Sequence, residues 1–314
     1  MTERARISEA GVYDLPLAAY IEDPCSEPSL SASIGWTLLT RTPLHAWAAH
    51  PRLNPEPERR QSKEMDFGTV AHRLLLGKGA EIEVIDADSY RTKAAQETRD
   101  AAYERGNVPI LTPHYERAEA MAEAARRQLE GHDIRNPFDN PMGRAEQTLI
   151  WREANGIMCR VCVDWLLNGA PRVMLYDIKT TTNAHPNAWV NRVVQLGHAY
   201  KAAWYCRAAQ QVLGTSKITF RFITQETTPP FALAVYEIDD EDMIQAEEDI
   251  GSAISWWGRC LETGVWPGYP PKVMKLPLPG HYRMAREKAQ ESGELSDAAI
   301  EQAIAWSKGM LEGA

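Results

Sequence analysis

The spacing of apolar residues changes partway along this chain, and the change divides it. Leu30–Ala49, Asp66–Leu76, Lys93–Arg105 and Thr112–Leu129 repeat their apolar positions every three to four residues, which predicts helices. Ser31 and Ser33 are capping signals for the first, and Thr112-Pro113 is a start for the last. Pro51–Lys63 is polar and carries three prolines, so it reads as an exposed loop. Glu81–Ala87 is a short strand between helices. From Glu146 onwards the period shortens. Glu146–Arg152, Ile157–Leu166 and the run ending in Asp177-Ile178-Lys179 read as strands, turned at Asn155-Gly156 and at Asn168-Gly169-Ala170-Pro171. Pro186 then leads into one predicted helix, Ala188–Val212, ended by Gly214. Its Val190, Val193, Val194, Gly197 and Ala208 are expected to pack on the sheet. Ile218–Thr224 and Phe231–Ile238 form a further strand pair, and Asp239 opens a helix that stops before Gly264. The expected fold class is α/β (α+β): a mostly antiparallel central sheet flanked by helices, with helical additions at both ends. Residues 1–27 read as an irregular cap, and 271–314 as a proline-rich link with a polar helical tail.

Two acids stand out in the apolar hairpin. Strand side chains alternate, so Asp177 and Lys179 share a face. Closing the turn over two or four residues sets Asp164 opposite Val173 or Leu175, on the face of Asp177. Paired buried acids are costly unless a cation neutralises them. Hard oxygen ligands of this kind suit Mg²⁺, with Mn²⁺ able to substitute. Lys179 could then position a water or stabilise a phosphoryl transition state. The plainer account is an ordinary hairpin with a surface Asp–Lys pair, worth little. Glu146 reaches the face of Asp164 only if residue numbers paired across Asn155-Gly156 sum to an even number, as a three-residue loop or a bulge would give.

Composition and charge sharpen this picture. The chain has 314 residues, 44% of them apolar, and a net charge of −9, which argues against a general polyanion binder. The distribution is uneven. From Asn155 to Gln225 there are eight Lys or Arg and only two acids, Asp164 and Asp177. From Glu226 to Ile250 there are nine acids and no base. Positive charge therefore gathers around the two acids, as a groove tracking phosphates would need. No run of about 20 apolar residues is present and the N-terminus has no secretory pattern, so no membrane partner is expected and the setting is cytoplasmic. Five scattered cysteines fit a reducing compartment. Cys159 and Cys162 fall on opposite strand faces with no second pair, so neither zinc nor an iron–sulfur cluster is expected.

Asp164, a turn, then Asp177-Ile178-Lys179 resembles the PD-(D/E)xK nuclease signature. Asp177-Ile-Lys-Thr-Thr181, a spacer, Gly197 and Ala202-Ala-Trp-Tyr205 resemble its RecE-type (exonuclease VIII-like) branch, related to lambda exonuclease. Gly68-Thr-Val-Ala-His72 is similar to that family's helical histidine motif, and Glu146 stands where it has another acid. Leu30-Ser-Ala-Ser33 and Thr42-Pro-Leu-His-Ala-Trp47 resemble its N-terminal entry. The resemblance covers residues 28–270 and implies a PD-(D/E)xK restriction-endonuclease-like core. It implies metal on Asp164, Asp177 and the Ile178 carbonyl, completed by His72 and Glu146, with Lys179 catalytic beside these acids. It further implies a 5′→3′ exonuclease on double-stranded DNA ends, a homo-oligomeric ring, a RecT-like single-strand annealing partner, and a phage or prophage source.

One departure from the family concerns the helix after the hairpin. The family usually has Gln four residues before Tyr; here Lys201 precedes Tyr205, while Gln195 lies further upstream. Lys201, Tyr205, Gln195, Arg192 and Arg160 are the expected DNA contacts. Two other functions remain open: another PD-(D/E)xK endonuclease, or a catalytically weak DNA-binding relative.

Overall fold

The computed structural model describes residues 6–54, 63–169, 172–294 and 296–312. It divides into two units, Met1–Gly268 and Tyr269–Ala314. In chain order the first unit contains β1 (Gly11–Tyr13), α1 (Leu17–Ile21), β2 (Leu30–Ser31), α2 (Ala32–Thr40), α3 (Pro43–Ala49), α4 (Lys63–Leu76) and β3 (Ile82–Ile85). It continues with α5 (Lys93–Glu104), β4 (Val108–Leu111), α6 (Thr112–Glu130), β5 (Gly143–Arg152), β6 (Met158–Gly169) and β7 (Arg172–Thr181). It closes with α7 (Pro186–Leu196), α8 (His198–Leu213), β8 (Ile218–Glu226), β9 (Leu233–Tyr236) and α9 (Asp240–Thr263). The second unit holds α10 (Gly280–Glu291) and α11 (Asp297–Glu312); no residue of α10 is buried.

The main sheet runs β1-β5-β6-β7-β8-β9, with β2 added on β6. Neighbours are antiparallel except β7–β8 and β2–β6. The parallel β7–β8 pair needs a crossover, and α7 with α8 supplies it. One face of the sheet packs against α2, α8 and α9 around Trp151, Trp204 and Trp257. The other carries Trp165, Tyr176, Ile178 and Ile223 against α4 and α6.

The register sets the two acids level. The β5–β6 turn closes where Glu153 donates to the Ile157 carbonyl (2.9 Å), leaving a three-residue loop with Gly156 at φ +88°. Ala145 therefore faces Trp165 and Gln147 faces Val163, which puts Glu146 opposite Asp164. Both strands break their alternation there: Val163 and Leu166 lie in the same core cluster, as alternation would forbid. Ala145 and Leu149 lie in different ones, and Glu146 adopts φ +48°. The next turn corrects the sequence expectation. Gly169 pairs with Arg172, and Ala170 and Pro171 lie outside the described residues. Asn168 and Gly169 stay in the strand, and Asp164 falls level with Asp177 rather than with Val173 or Leu175.

Three other expectations change. Residues 1–27 are not wholly irregular: β1 extends the sheet along β5. The Leu30–Ala49 helix is β2, α2 and α3, because Pro43 can only begin a helix and Thr42 caps it. The Ala188–Val212 helix is broken at Gly197 (φ +64°), so Val190 and Val194 of α7 turn outward, 53% and 72% exposed, while Trp189, Val193 and Ala208 pack on the core. A Cβ at Gly197 would also collide with the Trp36 indole. Gly197→Ala should therefore lower stability by roughly 3 kcal/mol, left-handed strain plus overpacking. Urea unfolding measures this, and an unchanged midpoint would refute it.

Candidate active site

The site lies where the sheet splits. β6 and β7 pair only from Trp165 and Tyr176 towards their turn. Beyond that point Asp164 replaces a backbone partner: its Oδ2 accepts the Ile178 N–H at 2.8 Å. The N–H and C=O of one strand residue leave the same edge, so the Ile178 carbonyl also faces the split. Parallel pairing with Phe222 and Thr224 fixes Asp177 and Lys179 on one face. Lys179 Nζ closes on Asp177 Oδ2 as an ion pair.

His72 reaches the split from α4. Its Nε2 is 3.2 Å from Asp164 Oδ2 and its Nδ1 3.7 Å from Glu146 Oε1. Gly68, one turn earlier, lets α4 approach β7: a Cβ there would meet the Thr180 hydroxyl at 3.3 Å. The space the sequence reserved beside His72 is thus taken by β7. Lys78, which the sequence reading missed, fastens the break in β5 by donating to the Ala145 (3.2 Å) and Glu146 (3.5 Å) carbonyls and pairing with Asp14. It follows α4 by only two residues, and that nearness was its one signal.

Opposed charges tune the cluster. Burial opposes the charge of Asp164, but His72, Lys179 and the Ile178 N–H outweigh it and hold the carboxyl low. Asp177 moves the other way: burial and the Asp164 charge raise it despite Lys179 and Lys201. Burial and Asp164 also raise Glu146. Burial works against the charge of Lys179, and Asp177 with Asp164 more than restores it. His72 is likewise raised, Asp164 outweighing its burial. Across the split, burial and Lys179 lower Lys201 on α8. His198, at the start of α8, is pushed down to about 3 by burial and by Lys179, Lys201 and Arg192. It is therefore a neutral imidazole, stacked on Trp189 at 5.3 Å.

The expected DNA contacts divide. Lys201 and Tyr205 lie on α8 one turn apart, and both feel the Asp177 charge. Gln195 and Arg192 are exposed on α7, ahead of the Gly197 break; none of the described contacts of the cluster involves Gln195. Arg160 must be withdrawn as a DNA contact, because it is only 2% exposed. It donates to the Ser29 carbonyl and hydroxyl (2.5 and 2.7 Å) and lies 3.3 Å from Asp23. Burial alone would raise Asp23; His50, Arg160 and Ser29 reverse that and hold it well below the carboxylate range. A depressed folded pKa gives stability that is present above the ordinary value and lost as pH falls towards the depressed one. Asp23→Asn should thus cost about 3 kcal/mol at neutral pH by stranding Arg160. It should also flatten the loss of stability below about pH 4. Urea titrations at several pH values test both; a variant as acid-sensitive as the wild type would refute the second.

The residues fit a divalent metal. Asp177 Oδ2 is buried, and Lys179 Nζ is its ion-pair partner. Three carboxylates face one another with a carbonyl at the same edge, a hard-oxygen set beside which His72 adds an imidazole nitrogen. Among the described residues no three His, Cys, Asp or Glu side chains stand at the spacing of a preformed cage. Cys159 is buried in the core and Cys162 lies on the other face, both with free thiols. No helix among the described residues is long and apolar enough to cross a membrane.

This sheet, split at paired acids with a lysine two residues on, defines the PD-(D/E)xK nuclease class of fold. Residues 36–274 match the family described as a PDDEXK-like domain of unknown function (DUF3799), and the chain belongs to that family. Among solved structures, it is similar to a Eubacterium rectale protein provisionally named an exonuclease. That match has 14% identity and a TM-score of 0.52, over 80% of this chain and 91% of that one, and it shows the shared fold. The crystal structure of SSO0001 aligns with 14% identity over 68% of this chain and 98% of its own, but at a TM-score of 0.24 it carries no weight. No curated protein matches the sequence.

Proposed function

We propose that the protein is a metal-dependent exodeoxyribonuclease that degrades linear duplex DNA 5′→3′ and leaves 3′ single strands. One observation carries this reading: His72, Glu146, Asp164, Asp177 and Lys179, from four separate elements, converge at the split between β6 and β7. Asp164, Asp177 and the Ile178 carbonyl would hold Mg²⁺ or Mn²⁺, with His72 and Glu146 around it; the ion supplies Lewis-acid activation of water and phosphate. Lys179 stays protonated between two acids, so it orients water or stabilises phosphate charge and does not accept the proton. Lys201 and Arg192 add positive charge along the approach of the strand.

Linear, nicked and closed circular duplexes, each with Mg²⁺, Ca²⁺ or EDTA, provide the test. Linear DNA should be lost in Mg²⁺ alone, and Ca²⁺ should bind without turnover. Undiminished cleavage in EDTA would defeat the metal; cleavage of the closed circle would make the enzyme an endonuclease. Lys201→Ala should weaken DNA binding and lower its salt dependence by roughly one phosphate contact, while Gln195→Ala does little. The reverse result would move the contact to α7. A ring-shaped homo-oligomer, a RecT-like annealing partner and a phage or prophage source in a bacterial cytoplasm belong to the same proposal, and sedimentation velocity tests the ring.

A further inference from the structure

Glu146 has an uncommon backbone, and the loop after α4 is built around it. The β5–β6 ladder passes from Ala145–Trp165 to Gln147–Val163 and skips Glu146 and Asp164. Glu146 takes φ +48°, a left-handed conformation that an L-residue keeps only where its surroundings hold it. A strand broken in this way must find other partners for its carbonyls. Gln147 Nε2 donates to the Ala145 carbonyl at 3.0 Å. Lys78 Nζ donates to the same carbonyl at 3.2 Å and to that of Glu146 at 3.5 Å, and it also pairs with the Asp14 carboxylate. Beside Lys78, Gly79 (φ +139°) lies against the other end of Glu146: a Cβ there would stand 3.2 Å from Oε1. The same Oε1 is 3.7 Å from His72 Nδ1. Arg73, the neighbour of His72 on α4, ties the loop back. It donates to the Gly79 and Ala80 carbonyls (2.6 and 3.0 Å) and to both Glu81 oxygens (3.0 Å each). His72 and the loop therefore form one frame, and that frame meets Glu146 at both its backbone and its carboxylate.

We propose that Lys78 is a positioning residue for Glu146: by holding the Ala145 and Glu146 carbonyls it fixes the left-handed turn that sets the Glu146 carboxylate beside His72 and opposite Asp164. An ammonium suits this task. It has three donors and no acceptor, so it can serve two carbonyls and a carboxylate at once. The Asp14 carboxylate is 72% exposed, and its pairing with Lys78 adds little; the carbonyl bonds carry the role. A residue that leaves φ +48° for the β region swings its Cα–Cβ bond. Without Lys78 the strand can relax in that direction, and the carboxylate then leaves its place between Gly79 and His72. Lys78 acts through Glu146 and touches neither substrate nor ion.

This inference rests on the proposed nuclease function, which assigns Glu146 to the metal site. Lys78→Met, made alone and together with Glu146→Gln, tests it. Methionine keeps most of the side-chain length and removes the donors. Cleavage of linear duplex in Mg²⁺ should show kcat lowered about tenfold, with KM changed less than about twofold. Mn²⁺ affinity, read from the EPR signal of the free ion, should also fall about tenfold, as for other outer partners of metal ligands. Lys78→Arg keeps charge and donors and should restore most of both. In the Glu146→Gln background Lys78→Met should lower neither further, because the group it positions has already gone. Equal losses in both backgrounds, or wild-type kcat and Mn²⁺ affinity in the single variant, would mean that Lys78 only braces the strand, and would overturn the proposal. Gly79→Ala crowds Glu146 Oε1 with Lys78 in place and should give the same two losses. It decides the matter if Lys78→Met does not fold, and wild-type values there would equally overturn the proposal. If the wild type binds Mn²⁺ but cleaves nothing, the nuclease reading fails, and the Mn²⁺ titrations alone decide the role of Lys78.

Discussion

Lys179→Ala should fold, bind metal and lose cleavage by a factor on the order of 10² or more, as expected when a transition-state electrostatic group is removed. The loss should fall on kcat, since Lys179 faces Asp177 and Asp164 at the split and not the outer approach. It should not be rescued by raising pH. A lysine whose protonated form is favoured by two acids is already charged across the working range. Removing it also leaves Asp177 without its nearest cation. The metal-free variant should therefore melt below the wild type and recover more when Mg²⁺ is added. Near-normal turnover in a folded variant would move the catalytic role elsewhere.

Asp177→Asn is expected to separate stability from activity. Burial and the neighbouring Asp164 charge raise Asp177 above its ordinary range. A carboxyl with a raised folded pKa stabilises below its unfolded value, and that contribution is lost as pH rises through the folded one. At neutral pH its charge is thus a cost to the metal-free fold. Asparagine removes that cost, and Lys179 keeps Asp164 as a partner. The variant without metal should melt roughly 2–4 °C above the wild type, about what 1 kcal/mol gives in a chain of this size. The rise in melting temperature that Mg²⁺ gives the wild type should disappear, because one of its ligands is gone. Cleavage should fall by about 10³ or more. A variant that melts lower without metal and still responds to Mg²⁺ would show that Asp177 is not a ligand.

Much of this was local and therefore legible. Alternation along Val173–Lys179 places Asp177 and Lys179 on one face in any register, and the pairing with β8 keeps them there. Helical spacing placed Gly68 one turn from His72, whatever α4 packs against. The strand and helix order after residue 140 needed only period and turn residues, although helix ends depended on single glycines. Gly197 reads equally as a helix residue or as a break. Its choice was made by Trp36, which occupies the space a side chain there would need.

What the sequence by itself determined was the inventory: two acids and a lysine in an apolar hairpin, a helical histidine upstream, and positive charge gathered around them. Only the tertiary structure decided which of these meet. The three-residue loop before β6 brings Glu146 level with Asp164, a matter of one residue that turn chemistry left open. The Gly169–Arg172 pairing brings Asp164 level with Asp177. Arg160 shows the same limit. A basic residue in a basic stretch belongs to DNA by composition, yet Ser29 and Asp23, more than a hundred residues away, draw Arg160 inside. Periodicity is a property of neighbours in sequence, and the site is made of neighbours in space.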